Sequence, residues 1–307
     1  MLRHDRHQAR HSAYGALLAG ACDWPELAAG LRQPAAADAP EWVSEEVAAA
    51  LGECDAPSLE RLTSTALVLS SRSGGAEAGP VRAAAHASGI DCSLVDVEHE
   101  DCSHPLLVYA GGERLSAVAQ RALLHHVERG AQLALFAPGP LRDERGRPLD
   151  VLGIGGRSGT AIRGRGRVMT LDAAPTPRLF RALHDRTGVR PPVRPRSFGV
   201  CAALMRRRSE LVLIAINHDV EPVVETFALD PALVPAGRNL LIYAARQRSE
   251  AVDVGADGEL SLAIPARDGV IVRIQRAPAL PDPAALSSRP GYVVRATGGQ
   301  VCASERR

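Results

Sequence analysis

Between Thr65 and Leu171 short apolar runs alternate with segments of helical period, and this alternation constrains the fold more than any other feature of the sequence. "TALVLSS" (65–71) is a buried-strand run ending at Gly74–Gly75, and "GPVRAAAHASG" has Pro80 near a helix start and Gly89 just past its end. "DCSLVDVE" (91–98) and "PLLVYAGG" (105–112) read as the next two strands. "LSAVAQRALLHHVERG" repeats apolar residues at Val118, Ala122, Leu123 and Val127, reads as an amphipathic helix and stops at Gly130. "AQLALFAPGP" (131–140) is a fourth strand and Arg167–Leu171 a fifth. Thr176 is placed to cap a helix that ends at Gly188. Strand–helix alternation of this kind implies right-handed crossovers and a parallel, doubly wound sheet, here expected as a flavodoxin-like α/β domain over 63–192.

The pattern then changes. Pro191, Pro192 and Pro195 read as a stiff linker. Beyond it come only short strands about 10–12 residues apart, with Asp257–Gly258 as a hairpin signal, so a small antiparallel β-sandwich is expected over 196–276. Residues 1–62 read as a helical segment, and the Pro/Ala/Ser-rich residues 277–307 as a poorly ordered tail.

Composition narrows function by exclusion. A net charge of +1 provides no whole-molecule field toward nucleic acid or anionic membrane. All 36 basic residues are Arg, which excludes covalent chemistry through a lysine amine. With 3% aromatics, a dedicated sugar-binding module is disfavoured, since such modules stack sugar rings on aromatic faces. No apolar run approaches the ~20 residues needed to cross a bilayer, and the basic start followed by "AYGALLAGAC" is read as leading into an Ala/Gly-rich helix. Cys22, Cys54, Cys92, Cys102, Cys201 and Cys302 form no C-x-x-C pair and read as reduced thiols, hence a cytoplasmic address.

Several clusters invite chemistry and are better read as structure. His99, Glu100, Asp101, Cys102 and His104 are metal-ligand types, but their spacing fits no familiar zinc motif. His4, His7 and His11 share a helical face of a polar terminal segment. "GIGGRSG" (153–159) lacks the pattern of a phosphate loop, and no G-x-S-x-G elbow occurs. Arg142 to Arg196 holds 13 Arg against 5 acids, yet only Phe180 offers a stacking ring, so a solvated or partner-facing surface is expected. The acidic run Asp38–Glu60 would complement it. Asp143–Glu144 are neighbours in a turn, which does not set the ~5–9 Å spacing of glycosidase carboxylates.

Two stretches carry a family resemblance. "LLVYAGGERLSAVAQRALLHHVERGAQLALFAPGPLRDERGRPLDVLG", with its acidic D-x-x-G-x-P loop and the later "GRGRVMTLD", resembles the class I glutamine-amidotransferase-like domain of β-galactosidases in glycoside hydrolase families 42 and 35. "LFRALHDRTGVRPPV" resembles the helix and linker that follow it. "ALMRRRSELVLIAINHDVEPVVETFAL" and "GELSLAIPARDGVIVRI" resemble their small β-domain, including an Asn ending a strand at Asn217. The resemblance covers about Thr65 to Gln275.

The resemblance implies the back part of such an enzyme without its catalytic barrel. The only asparagines are Asn217 and Asn239, and neither precedes a Glu, whereas the family's acid/base follows an Asn. The stretch before residue 65 is too short for eight β-α units. The turn at Gly111–Gly112–Glu113, where an amidotransferase would place its nucleophile, holds no Cys. No catalytic, cofactor-binding or metal-ligating residue is therefore assigned, and no cofactor is expected. The expected role is an accessory, oligomerising portion of a β-galactosidase-like protein, truncated relative to its parent. It would work as a homo-oligomer (a trimer by resemblance) or beside a separate barrel, with no nucleic-acid or membrane partner. A free-standing amidotransferase-like enzyme and an Arg-rich nucleic-acid binder are the alternatives.

Overall fold

The computed structural model describes residues 60–70, 79–99, 102–109, 111–136, 139–155, 158–207, 210–234, 236–243, 248–276, 292–297 and 300–305. The chain divides into two compact units, Met1–Gln275 and Arg276–Arg307.

In the first unit one sheet contains β2 (Thr65–Leu69), β3 (Ser93–Asp96), β4 (Leu106–Tyr109), β5 (Gln132–Phe136), β6 (Gly159–Arg163) and β7 (Gly166–Leu171), in the order β3-β2-β4-β5-β7-β6. The first five are parallel, and only β6 runs antiparallel, as a hairpin with β7. Helices α1 (Gly79–Ala87), α2 (Ala117–Glu128) and α3 (Pro177–Thr187) cover both faces. Period-2 alternation sorts the side chains. Ala66, Val68, Leu107, Tyr109, Leu133 and Leu135 face α2, while Leu67, Leu106, Val108, Ala134, Met169 and Phe180 form the core beneath α1 and α3. The doubly wound arrangement expected from the sequence is present. The hairpin strand β6 is an addition, because half-exposed "GTAIR" offers no apolar run.

Two corrections concern the chain on either side of this sheet. Residues 60–62, expected at the end of a helical segment, form strand β1 (Glu60–Leu62), paired antiparallel with β9 (Val200–Arg207) through Leu62↔Leu204. The proline linker is itself a strand, β8 (Val193–Pro195). It sits at a sheet edge, where a missing N–H costs nothing.

The sandwich is thus built from both sides of the α/β sheet. Its larger sheet takes β1, β9, β10 (Glu210–Asn217), β15 (Asp268–Arg276), β12 (Gly237–Tyr243) and β13 (Arg248–Val254), and its smaller one β14 (Glu259–Ile264), β11 (Val223–Leu229) and β8. Val200, Leu204, Leu213 and Val272 of the first sheet close on Phe227, Leu260 and Leu262 of the second. In the second unit, within the stretch expected to be poorly ordered, β16 (Tyr292–Thr297) and β17 (Gln300–Glu305) pair as an antiparallel hairpin. The rest of the expected helical segment, 1–59, and its acidic run up to Ala56–Leu59 lie outside the described residues, as do His4, His7 and His11.

The α/β sheet and the sandwich meet at residues 196–197, which are held from both sides. Arg181 of α3, 8% exposed, donates through Nε to the Ser88 carbonyl (2.8 Å), through Nη1 to that of Arg196 (2.6 Å) and through Nη2 to that of Ser197, with its guanidinium 4.0 Å from the Phe198 ring centre. The buried Glu225 of β11 accepts the backbone N–H groups of Arg196 (2.5 Å) and Ser197 (3.1 Å) and the Ser197 hydroxyl. One side chain from each half therefore saturates the backbone of the junction, so the two expected domains belong to one compact unit.

Candidate functional site

In an open parallel sheet ligands bind outside the carboxyl ends of the strands where the strand order reverses. Here that point lies between β2 and β4, since the chain passes from β2 to β3 on one side and then to β4 on the other. The described residues there are Ser70, Glu98, Tyr109, Gly111, Gly112 and Ser116.

The polar side chains here bond to the backbone or to one another. The Tyr109 hydroxyl donates to the carbonyls of Arg114 (2.9 Å) and Gly112 (3.3 Å), so its ring lies under the turn that follows β4. Gly111 is required by that ring, because a Cβ there would stand 2.4 Å from the Tyr109 Oη. Ser116 caps α2: its Oγ accepts the Ala119 N–H at 3.1 Å and donates to Glu98 Oε1. Ser70 donates to the same oxygen at 3.2 Å. The carboxylate of Glu98 stands at the positive end of α2, where the helix dipole favours it. At 1% exposure, and committed as the cap of α2, Ser116 presents no open hydroxyl to a substrate.

The other candidates divide similarly. Asp143 is buried, its Oδ1 accepting the N–H groups of Arg145 (2.9 Å) and Arg147 (2.8 Å) and its Oδ2 the Arg147 Nε (2.7 Å). Burial alone would raise its pKa, but these bonds and the Arg147 charge outweigh it and hold the carboxyl below the usual carboxylate range. Glu144 Oε2 accepts the Ala117 N–H at 3.3 Å. The D-x-x-G-x-P loop is thus an aspartate-pinned turn, not a paired-carboxylate centre. In the "GIGGRSG" stretch Asp150 accepts the N–H groups of Ile154 (3.0 Å) and Gly155 (2.8 Å), which makes a capped turn.

Five arginines of the Arg-rich stretch are committed within the fold. Arg147 pairs with Asp143, Arg194 with Asp185 and Arg196 with Glu259, while Arg163 donates to the Leu152 and Gly153 carbonyls and Arg181 is buried. Arg165 and Arg167 are exposed at the β6–β7 hairpin.

The structure separates the ligand types of 99–104. His99 turns outward to Asp96 (3.0 Å), and Asp96, Glu98 and His99 gather on the surface. Cys102 turns into the core and lies 3.7 Å from His104 Nδ1. His104 Nε2 meets Thr63 Oγ1 (2.9 Å) and Ser93 Oγ (3.2 Å). Glu100 and Asp101 lie outside the described residues.

Burial holds His104 below its ordinary 6.5, and burial likewise lowers His184, whose Nδ1 faces the Val189 carbonyl at 2.9 Å. Both are neutral in the fold, so the unfolded chain takes up protons first as the pH falls. Their contribution is full above about pH 6.5 and is lost as the pH drops from there through the lowered folded values. Urea unfolding should therefore show lower stability at about pH 5 than at about pH 7.5, and His104→Gln with His184→Gln should shrink that difference. A difference that survives the double substitution intact would assign it to other groups.

A constellation that sequence reading did not assemble lies elsewhere. His86 of α1, Cys201 of β9 and His218, just past β10, bring their ligand atoms within 4.8 Å of one another. They are scattered over 133 positions, and no spacing rule marks them. The one legible signal was that Cys201 and His218 flank opposite ends of two consecutive strands.

No protein-family model matches the chain, and no curated protein resembles it in sequence. Solved structures share its fold. A catalytic mutant of a GH42 β-galactosidase from G. stearothermophilus superposes on 77% of this chain and 44% of its own, at 13% identity and a TM-score of 0.56. A β-galactosidase from Bacillus circulans sp. alkalophilus covers 77% and 45% at 13% identity and a TM-score of 0.55. Alpha-L-fucosidase isoenzyme 2 from Paenibacillus thiaminolyticus covers 89% and 58% at 10% identity and a TM-score of 0.60. The chain thus has a fold found in glycoside hydrolases and spans under half the length of the two β-galactosidases.

Proposed function

We propose that this chain is a non-catalytic, architectural portion of a glycoside-hydrolase-like protein of the β-galactosidase type. The carrying observation is the carboxyl edge of the sheet: where a doubly wound domain would bind and transform a ligand, Tyr109, Ser116 and Glu98 are spent on the backbone and on one another. The strand order β3-β2-β4-β5-β7 supports the flavodoxin-like, amidotransferase-like reading of this domain. The turn after β4 has the right place for an amidotransferase nucleophile and the wrong residues. Asp143 and Glu144, neighbouring carboxylates in the sequence, hold a turn and a helix start respectively.

Its role is to present surfaces, to further copies of itself in a trimer or to a catalytic barrel on a separate chain. No described helix is long and apolar enough to cross a bilayer. Cys92, Cys102 and Cys201 are not in disulfides, which fits a reducing, cytoplasmic setting.

The test is direct. The purified chain, incubated with a chromogenic β-galactoside and separately with glutamine, should release neither aryl alcohol nor ammonia above buffer, and light scattering should report an oligomer. Turnover of the galactoside would overturn the architectural reading, and release of ammonia would favour the amidotransferase alternative. A monomer at high concentration would remove self-assembly and leave only the separate barrel as partner.

A further inference from the structure

We propose that His86, Cys201 and His218 form a binding site for a borderline transition-metal dication of the Zn²⁺ class. The site is distinct from the carboxyl edge described above and does not rest on the architectural reading.

Secondary structure puts the three together. In the β9–β10 ladder Cys201 lies opposite Ile216 and Val200 opposite Asn217. His218 continues that ladder, its N–H on the Gly199 carbonyl at 2.9 Å. Two residues beyond Ile216, its side chain emerges on the same face as Cys201, in the diagonal position where side chains meet. The third ligand arrives on the last turn of α1, which lies against that face. Its approach depends on Gly89 (φ +78°), where a Cβ would stand 2.5 Å from the Val200 carbonyl and 2.6 Å from Pro195 Cγ.

The distances suit a metal. Zinc bonds of about 2.3 Å to sulfur and about 2.0 Å to nitrogen, at a tetrahedral angle, separate sulfur from nitrogen by roughly 3.5 Å. Cys201 Sγ stands 3.8 Å from both ring nitrogens of His86, and the exposed imidazole turns to aim one of them at an ion shared with the sulfur. One thiolate and two imidazoles form a donor set that selects zinc-like ions over magnesium or calcium. Three protein ligands leave a fourth position open, as in sites that hold a water or a small ligand. His86 and Cys201 also line a cleft of about 490 Å³ with Arg61, Arg82 and Asp91.

The surroundings hold the ligands still, as metal sites require of their supporting shell. Arg181 fixes the end of α1 through the Ser88 carbonyl (2.8 Å). Asn217, buried beside His218, donates to the carbonyls of Glu221 (2.8 Å) and Pro265 (3.2 Å) and accepts the Asp219 N–H (2.9 Å). The Cys201 thiol donates to the His86 carbonyl at 3.2 Å. Binding therefore forms the sulfur–metal bond as the thiol proton leaves to water, with no change of oxidation state.

The full chain, made without a histidine tag and stripped with chelator, is titrated with Co²⁺ as a spectroscopic probe. One equivalent should raise a near-ultraviolet sulfur-to-cobalt charge-transfer band, and Zn²⁺ should abolish it by displacement. Cys201→Ser should remove the band, whereas Cys102→Ser should leave it. Should Cys201→Ser fail to fold, His218→Ala alters only an exposed side chain and should weaken binding by about tenfold or more. No band in the wild-type chain, a band that survives Cys201→Ser, or unchanged affinity in His218→Ala would each overturn the assignment.

Discussion

Arg181→Ala is expected to destabilise the chain by about 3 kcal/mol, or roughly 10 °C in the unfolding midpoint, because three backbone carbonyls lose a charged donor together. Ser88 is fully buried in the native fold, so its carbonyl loses its charged donor at a site closed to solvent while Arg181 is in place. The cost is that of an unmet buried acceptor more than of a lost attraction. Arg181→Lys should rescue little: an ammonium cannot span three carbonyls that belong to α1's end and to residues 196 and 197. Glu225→Gln at the opposite side of the junction should be coupled to it in a double-mutant cycle, because both act on the same two residues. Additive losses, or a full rescue by Lys, would show that the junction is not held as a unit.

Phe227→Ala should cost about 3–5 kcal/mol in chemical denaturation, the range for a large aromatic removed from a packed core. Among the described residues, Phe227 is the one aromatic in the fully buried sandwich core, at 0% exposure, and its neighbours Val193, Leu260 and Leu262 are anchored on strands that cannot collapse inward. Phe227→Leu keeps most of the volume and should cost under about 1.5 kcal/mol. Equal losses for Ala and Leu would mean that the ring's shape, not the cavity, sets the energy.

Much of this architecture was legible because it is written in local periodicity. The apolar runs at Thr65–Leu69, Leu106–Tyr109 and Gln132–Phe136 are buried on both faces and read as continuous hydrophobic strands. Thr176, whose side chain accepts the Leu179 N–H, and Gly188 in the left-handed region mark α3 at both ends, as their chemistry requires. That the turn after β4, Gly111–Gly112–Glu113, holds no Cys is read from residue types alone. By contrast, the proline stretch 191–195 gave no sign of pairing with β11, since an edge strand needs only a partner with free backbone groups.

Local pattern alone determined the two kinds of layer in this protein: a parallel sheet with helices on both faces, then a sheet sandwich, for each residue's burial there follows from its neighbours two to four positions away. Only the tertiary structure decided that Glu60–Leu62 would close the sandwich against β9, that Arg181 and Glu225 would share one junction, and that His86, Cys201 and His218 would converge. These pairings join residues from 17 to more than 140 positions apart, where chain periodicity carries no information. What selects them is the demand that every buried edge, carbonyl and carboxylate find a partner in three dimensions.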